Sequence, residues 1–88
     1  MQISEKKRQK ISEQILLLLY SKSPQALFTS QIAQEIARDE EFIKKILIQL
    51  KEKNLILMIS KNPKGKAYLR RSRWRLSDGV YAAYRNHQ

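Results

Sequence analysis

Apolar residues recur at helical spacing near the start of the chain. Ile11, Ile15, Leu18 and Leu19 fall on one stripe, which predicts a helix over residues 4–21. Leu16, Leu17 and Tyr20 point to other sides, so the end of this helix is apolar almost all round. Such a helix expects cover on more than one side. Either a second copy of the chain or the C-terminal segment would supply it. Pro24 stops the helix, because it disfavours helical geometry at Ser23 and lacks an amide proton.

A short second helix is expected to run to about Ala37, with Thr29 or Ser30 as its N-cap and Ile32, Ala33 and Ile36 on its buried side. Asp39 is the next capping residue. A third helix follows over residues 40–53, with Phe42, Ile43, Ile46, Leu47 and Leu50 inward and Lys44, Lys45, Gln49, Lys51 and Glu52 outward. Ile48 falls on the exposed side of that helix. Its first turn carries Glu40 and Glu41 and its last turn Lys51 and Lys53, a distribution that suits the helix dipole. Asn54 tolerates the left-handed conformation that closes a helix.

Leu55 to Ser60 reads as a strand, residues 61–66 as a turn, and residues 67–76 as a returning strand. Trp74 and Leu76 alternate with Arg73 and Arg75, which puts the aromatic and the leucine toward a core. Ser77 and Asp78 then cap a last short helix with Val80, Tyr81 and Tyr84 on its apolar side. The order predicts an α+β fold. Three helices form a helix-turn-helix core, a two-stranded β wing follows, and a short C-terminal helix ends the chain. Residues 1–88 are expected to form one domain.

Charge adds a partner to this picture. The 88 residues hold 18 Lys and Arg against 8 Asp and Glu, a net charge of +10. The excess is uneven. Residues 61–88 hold eight basic residues and one acid, whereas residues 1–60 hold ten and seven. A polyanion explains that concentration in the wing better than a merely soluble surface does. With no cysteine, disulfides are excluded, and a cytoplasmic setting is expected. Ile15 to Tyr20 is too short for a signal sequence or a membrane span, so no membrane association is expected.

Residues 29–56 resemble the core of prokaryotic winged helix-turn-helix transcription regulators. The pattern there is roughly Thr-x-x-Leu-Ala-x-x-Leu-Gly, a turn, a recognition helix and a Leu-x-x-x-Gly-Leu-Ile tail. Thr29, Ile32, Ala33, Ile36, Leu50, Asn54, Leu55 and Ile56 stand at matching places without a gap. Arg73 to Ser77 resemble the end of the second wing strand. Arg38 replaces an apolar turn residue, Asn54 replaces a glycine, and Glu40 and Glu41 occupy the front of the recognition helix. That end of the helix normally enters the major groove, where a glutamate can accept a hydrogen bond from cytosine.

The resemblance implies double-stranded DNA binding and transcriptional regulation. Lys44, Lys45 and Gln49 would meet phosphates and base edges from the recognition helix. Lys61, Asn62, Lys64, Lys66, Arg70, Arg71 and Arg73 would meet the minor groove or the flanking backbone from the wing. Gln31, with the first amides of the second helix, would hold a phosphate. A homodimer through the first and last helices is expected. The alternative is a winged-helix module for protein or RNA without DNA specificity, which Glu40, Glu41 and an exposed Ile48 would suit. Catalysis finds no support: His87 is the only histidine, and no phosphate-cradling loop or metal-ligand spacing is present. No cofactor is expected, and 88 residues leave little room for a small-molecule pocket.

Overall fold

The first helix, α1 (Glu5–Lys22), buries Ile11, Ile15 and Leu19, spaced one turn apart along a single line. In the computed structural model residues 5–59 and 72–86 are described. Behind α1 come β1 (Leu27–Phe28), α2 (Thr29–Ile36), α3 (Glu40–Glu52), β2 (Ile56–Ile59), β3 (Arg73–Leu76) and α4 (Asp78–Asn86). Leu18 is half-buried rather than part of the buried line, and Leu17 is 57 % exposed. No described helix is long and apolar enough to cross a membrane.

The three helices close on one core. Ile32 and Ala33 of α2 meet Ile43, Ile46, Leu47 and Leu50 of α3, and the α1 line completes the cluster. Ala33 is small where α2 packs on its neighbours, which lets the helices approach closely. Phe42 and Ile48 are only partly buried at the rim of this core. Ile48 is thus not the freely exposed residue that the helical wheel indicates; it is partly buried and packs against the core cluster.

Helix boundaries follow local chemistry. The Asp39 carboxylate accepts from the Phe42 amide at 3.3 Å and starts α3, as its position in the sequence suggests. Asn54 takes φ 62°, the left-handed conformation expected of it. Ala37 also takes φ 62°, at the end of α2, where its amide and that of Arg38 turn back onto the helix carbonyls. An alanine in that conformation stores about 1 kcal/mol that a glycine would not.

The start of α2 departs from expectation. Neither Thr29 nor Ser30 is its N-cap; Phe28 holds that place. The Phe28 amide donates to Gln31 Oε1 at 2.9 Å, so the cap is satisfied from within the helix. Thr29 is drawn inward instead. Its hydroxyl accepts from Trp74 Nε1 at 2.8 Å, and both residues are buried. A buried indole needs an acceptor, and the first residue of α2 supplies it.

The sheet has three strands, not the two of the expected wing. β1 pairs with β3, which pairs with β2, all antiparallel in the order β1-β3-β2. Two residues of β1 carry too little alternation to be read as a strand. The register places Leu27, Trp74 and Met58 in one rung and Leu76 and Ile56 in the next, all on the face toward the helices. Of the returning strand expected over residues 67–76, residues 73–76 form β3, Ser72 is described outside any strand, and residues 67–71 lie outside the described residues.

α4 begins under Ser77, whose hydroxyl accepts from the Val80 amide at 3.4 Å. No residue of α4 is fully buried. The helix leans on α1 through aromatic rings: Tyr20 lies 5.5 Å from Tyr81 and 5.5 Å from Tyr84. The C-terminal helix therefore covers Tyr20 but leaves Leu17 uncovered.

Candidate nucleic-acid interface

α3 stands with its apolar line on the core and its charged side in solvent. Lys45 and Gln49 are exposed and one turn apart, so they share a flank. Lys44 is half-buried and lies on the other flank. At about 100° per residue, Lys44 and Gln49 are separated by about 140° around the helix. The structure thus brings two of the three helix residues together and sets the third apart.

Glu40 and Glu41 are exposed in the first turn of α3. Among the described residues neither they nor Lys44 and Lys45 engage in an ion pair. The helix dipole stabilises carboxylates at this end, which accounts for their presence without a partner. Along the outward side Glu41 precedes Lys45 by one turn, a spacing that mixes signs instead of building a cationic stripe.

Gln31 is exposed at the opening of α2. Its carbonyl oxygen is held by the Phe28 amide, which fixes the side chain and leaves its NH₂ group outward to donate. Beside it lies an open depression of about 210 Å³, lined by Lys22, Gln25, Leu27, Gln31, Gln34 and Glu35. This is smaller than the usual pocket for a small organic ligand, and its lining is mostly polar. Among the described residues no cluster of three potential metal ligands occurs.

Of the wing cations, Arg73 is described. It stands on the outward face of β3, with its guanidinium 6.0 Å from the centre of the Phe28 ring. Lys61, Asn62, Lys64, Lys66, Arg70 and Arg71 lie outside the described residues, on the segment joining β2 to β3. Phe28 is the residue that reading the sequence passed over. An aromatic just ahead of a helix, with an arginine across the sheet, became visible only through the β1–β3 pairing.

A search of solved structures finds the same fold elsewhere. A MepR variant from a multidrug-resistant S. aureus clinical isolate superposes with a TM-score of 0.70 at 19 % identity, over 88 % of this chain and 53 % of that one. The chain has the winged-helix fold. ZitR of Lactococcus lactis, in an apo variant, gives a TM-score of 0.69 at 22 % identity, over 93 % of this chain and 57 % of that one. The adhesin competence repressor AdcR of Streptococcus pyogenes gives 0.63 at 19 %, over 88 % and 54 %. The chain spans about half the length of these proteins. MepR is described as a transcription regulator of a multidrug efflux pump, and a MepR variant has been solved bound to an oligodeoxyribonucleotide. No family model and no curated protein sequence matches the chain.

Proposed function

We propose that this chain acts as one double-stranded DNA-binding unit of a cytoplasmic transcription regulator. The observation that carries the reading is a winged-helix fold whose wing segment and last helix, residues 61–88, hold eight basic residues and one acid. The likeness to regulators of this fold, one of them solved on DNA, supports it.

In this reading the wing cations Lys61, Lys64, Lys66, Arg70 and Arg71 supply most of the affinity by releasing counterions from phosphates, with Asn62 beside them. Lys45 and Gln49 meet one edge of the major groove, and Lys44 reaches a phosphate on the other side of the helix. Gln31 donates its free NH₂ to the backbone at the start of α2. Glu40 and Glu41 repel phosphates, so α3 reads few bases, and cytosine is the base that suits them.

A second copy is proposed to pack on α1 and α4. Leu17 is 57 % exposed and Tyr81 is 36 % exposed, and both border the tyrosine contact between these helices. Burying them between two copies would add the apolar area that a short chain lacks.

The test is fluorescence anisotropy of a labelled random duplex, repeated across salt concentrations. About four neutralised phosphates per protomer give a slope of log K against log salt near about −4, and about twice that for a dimer. Deleting residues 62–66 is expected to remove most of the affinity with the helical circular dichroism intact. No binding at low salt would overturn the DNA reading. It would leave the second reading, a module for protein or RNA, which the unpaired exposed Glu40 and Glu41 favour.

A further inference from the structure

The sheet has a second face, turned away from the helices. Its register puts Phe28, Arg73 and Ile59 in one outward rung, and Arg75 and Leu57 in the next. Side chains directly opposite on neighbouring strands stand about 5 Å apart, so these five residues form one surface. Phe28 is 39 % exposed and Leu57 38 %, so this face offers two large apolar side chains beside its arginines. Each arginine therefore has apolar neighbours. Arg73 lies between Phe28 and Ile59, and Arg75 lies beside Leu57.

Both charged residues of these two rungs are arginines. Among the described residues Arg73 has no carboxylate partner; its guanidinium rests on the Phe28 ring. Arg75 reaches Asp78 at 3.3 Å and the Leu76 carbonyl at 3.2 Å, both through one nitrogen, Nη1. Its other two nitrogens, Nη2 and Nε, remain able to donate, and an ion pair to a carboxylate as exposed as that of Asp78 is easily exchanged.

We propose that this outward sheet face docks an extended, acidic segment of a partner protein, one in which carboxylates alternate with leucine-like side chains. The period of two matches the rungs. Carboxylates would meet Arg73 and Arg75 in forked hydrogen bonds, and the intervening apolar side chains would settle on Phe28, Leu57 and Ile59. A second copy of the chain is disfavoured, since a symmetric contact would set the same arginines against each other. Single-stranded nucleic acid is disfavoured as well. Base stacking needs open rings, and Phe28, the only ring in these rungs, already has one side taken by Arg73. This inference does not rest on the DNA reading, which uses α3 and the wing cations and shares only Arg73 with this face.

The experiment is a titration of the ¹⁵N-labelled full chain, followed by amide chemical shifts. Three probes are compared: a peptide alternating Glu with Leu, a poly-Glu peptide of equal charge, and an oligo-dT strand. The Glu-Leu peptide is expected to move the amides of Phe28, Leu57, Ile59, Arg73 and Arg75 most. It should bind about tenfold more tightly than poly-Glu, a gap that corresponds to about 1.4 kcal/mol. Arg73→Glu and Leu57→Ser should each weaken it about tenfold while leaving the thermal melt in place, and Leu57→Ser should leave duplex binding in place as well. Equal affinity for poly-Glu would reduce the effect to net charge and overturn the proposal. So would shifts centred on α3, unchanged affinity in both variants, or oligo-dT moving the same amides more strongly than the peptide.

Discussion

α3 and α4 are both amphipathic helices, yet the molecule treats them differently. α3 buries Ile43, Ile46, Leu47 and Leu50 among α1, α2 and the sheet. α4 turns Val80 and Tyr84 toward the core edge and Tyr81 toward Tyr20, and it buries none of them fully. An apolar stripe states only that a helix seeks a partner. For α3 the chain supplies that partner from three elements. For α4 it supplies one ring of α1 and a rim. The first helix is therefore part of the folding unit. The second rests on it and leaves Tyr81 36 % exposed.

The largest expected contrast comes from truncating one residue on each helix. Leu47→Ala should lower the unfolding free energy by about 2–5 kcal/mol, through lost burial and the cavity left behind. Tyr81→Ala should cost less than about 1.5 kcal/mol in the monomer, the range of an exposed aromatic pair. Denaturant melts at low protein concentration measure both. A loss at Tyr81 equal to that at Leu47 would erase the distinction between core and rim.

Trp74→Phe tests what ties the sheet to the helical core. The ring would still fill most of the space, but the Thr29 hydroxyl would lose its donor. A loss of about 1–3 kcal/mol is expected. Restoring stability by adding Thr29→Val in the same chain would show that the unpaired hydroxyl, and not the smaller ring, causes the loss. Ala37→Gly works in the opposite direction. It removes the left-handed alanine between α2 and α3, and it should stabilise the chain by up to about 1 kcal/mol in a thermal melt.

The smallest effect is on pH dependence at α4. Burial raises the Tyr84 pKa above its ordinary value of 10.0, and the Glu13 carboxylate adds to the rise. The folded state thus keeps this proton where the unfolded state has lost it, so stability falls as pH rises above about 10. The favourable contribution of neutral Tyr84 is complete below that pH and is lost on passing through the raised value. Tyr84→Phe should flatten this part of the stability profile. An unchanged profile between about pH 9 and pH 11 would show that Tyr84 does not carry it.

The helices were legible because their apolar residues repeat at a spacing that only a helix places on one side. Asp39 and Asn54 marked the ends of α3 by short-range chemistry, and both serve as their types suggest. The wing's aromatic-arginine alternation likewise gave the correct inward face for Trp74 and Leu76. Thr29 misled for a reason that lies far along the chain. Its best local use is as a cap, but a buried indole 45 residues away takes its hydroxyl. Ile48 misled because a helical wheel does not show how far a rim residue packs against the core.

The candidate interface was legible as a set of charges and less so as a geometry. Lys44, Lys45 and Gln49 were evident as outward residues, but their division between two flanks follows from how α3 is seated. The amino-acid sequence by itself determined the helices, the ends of α3, the inward side of each helix and the positive charge of the last third. Those properties depend on neighbours within a turn or on sums over the chain. Tertiary structure alone decided that β1 exists, that Thr29 serves Trp74, that α4 stays at the rim, and that Phe28 meets Arg73. Each of these depends on residues brought together across tens of positions, where no local periodicity can carry the information.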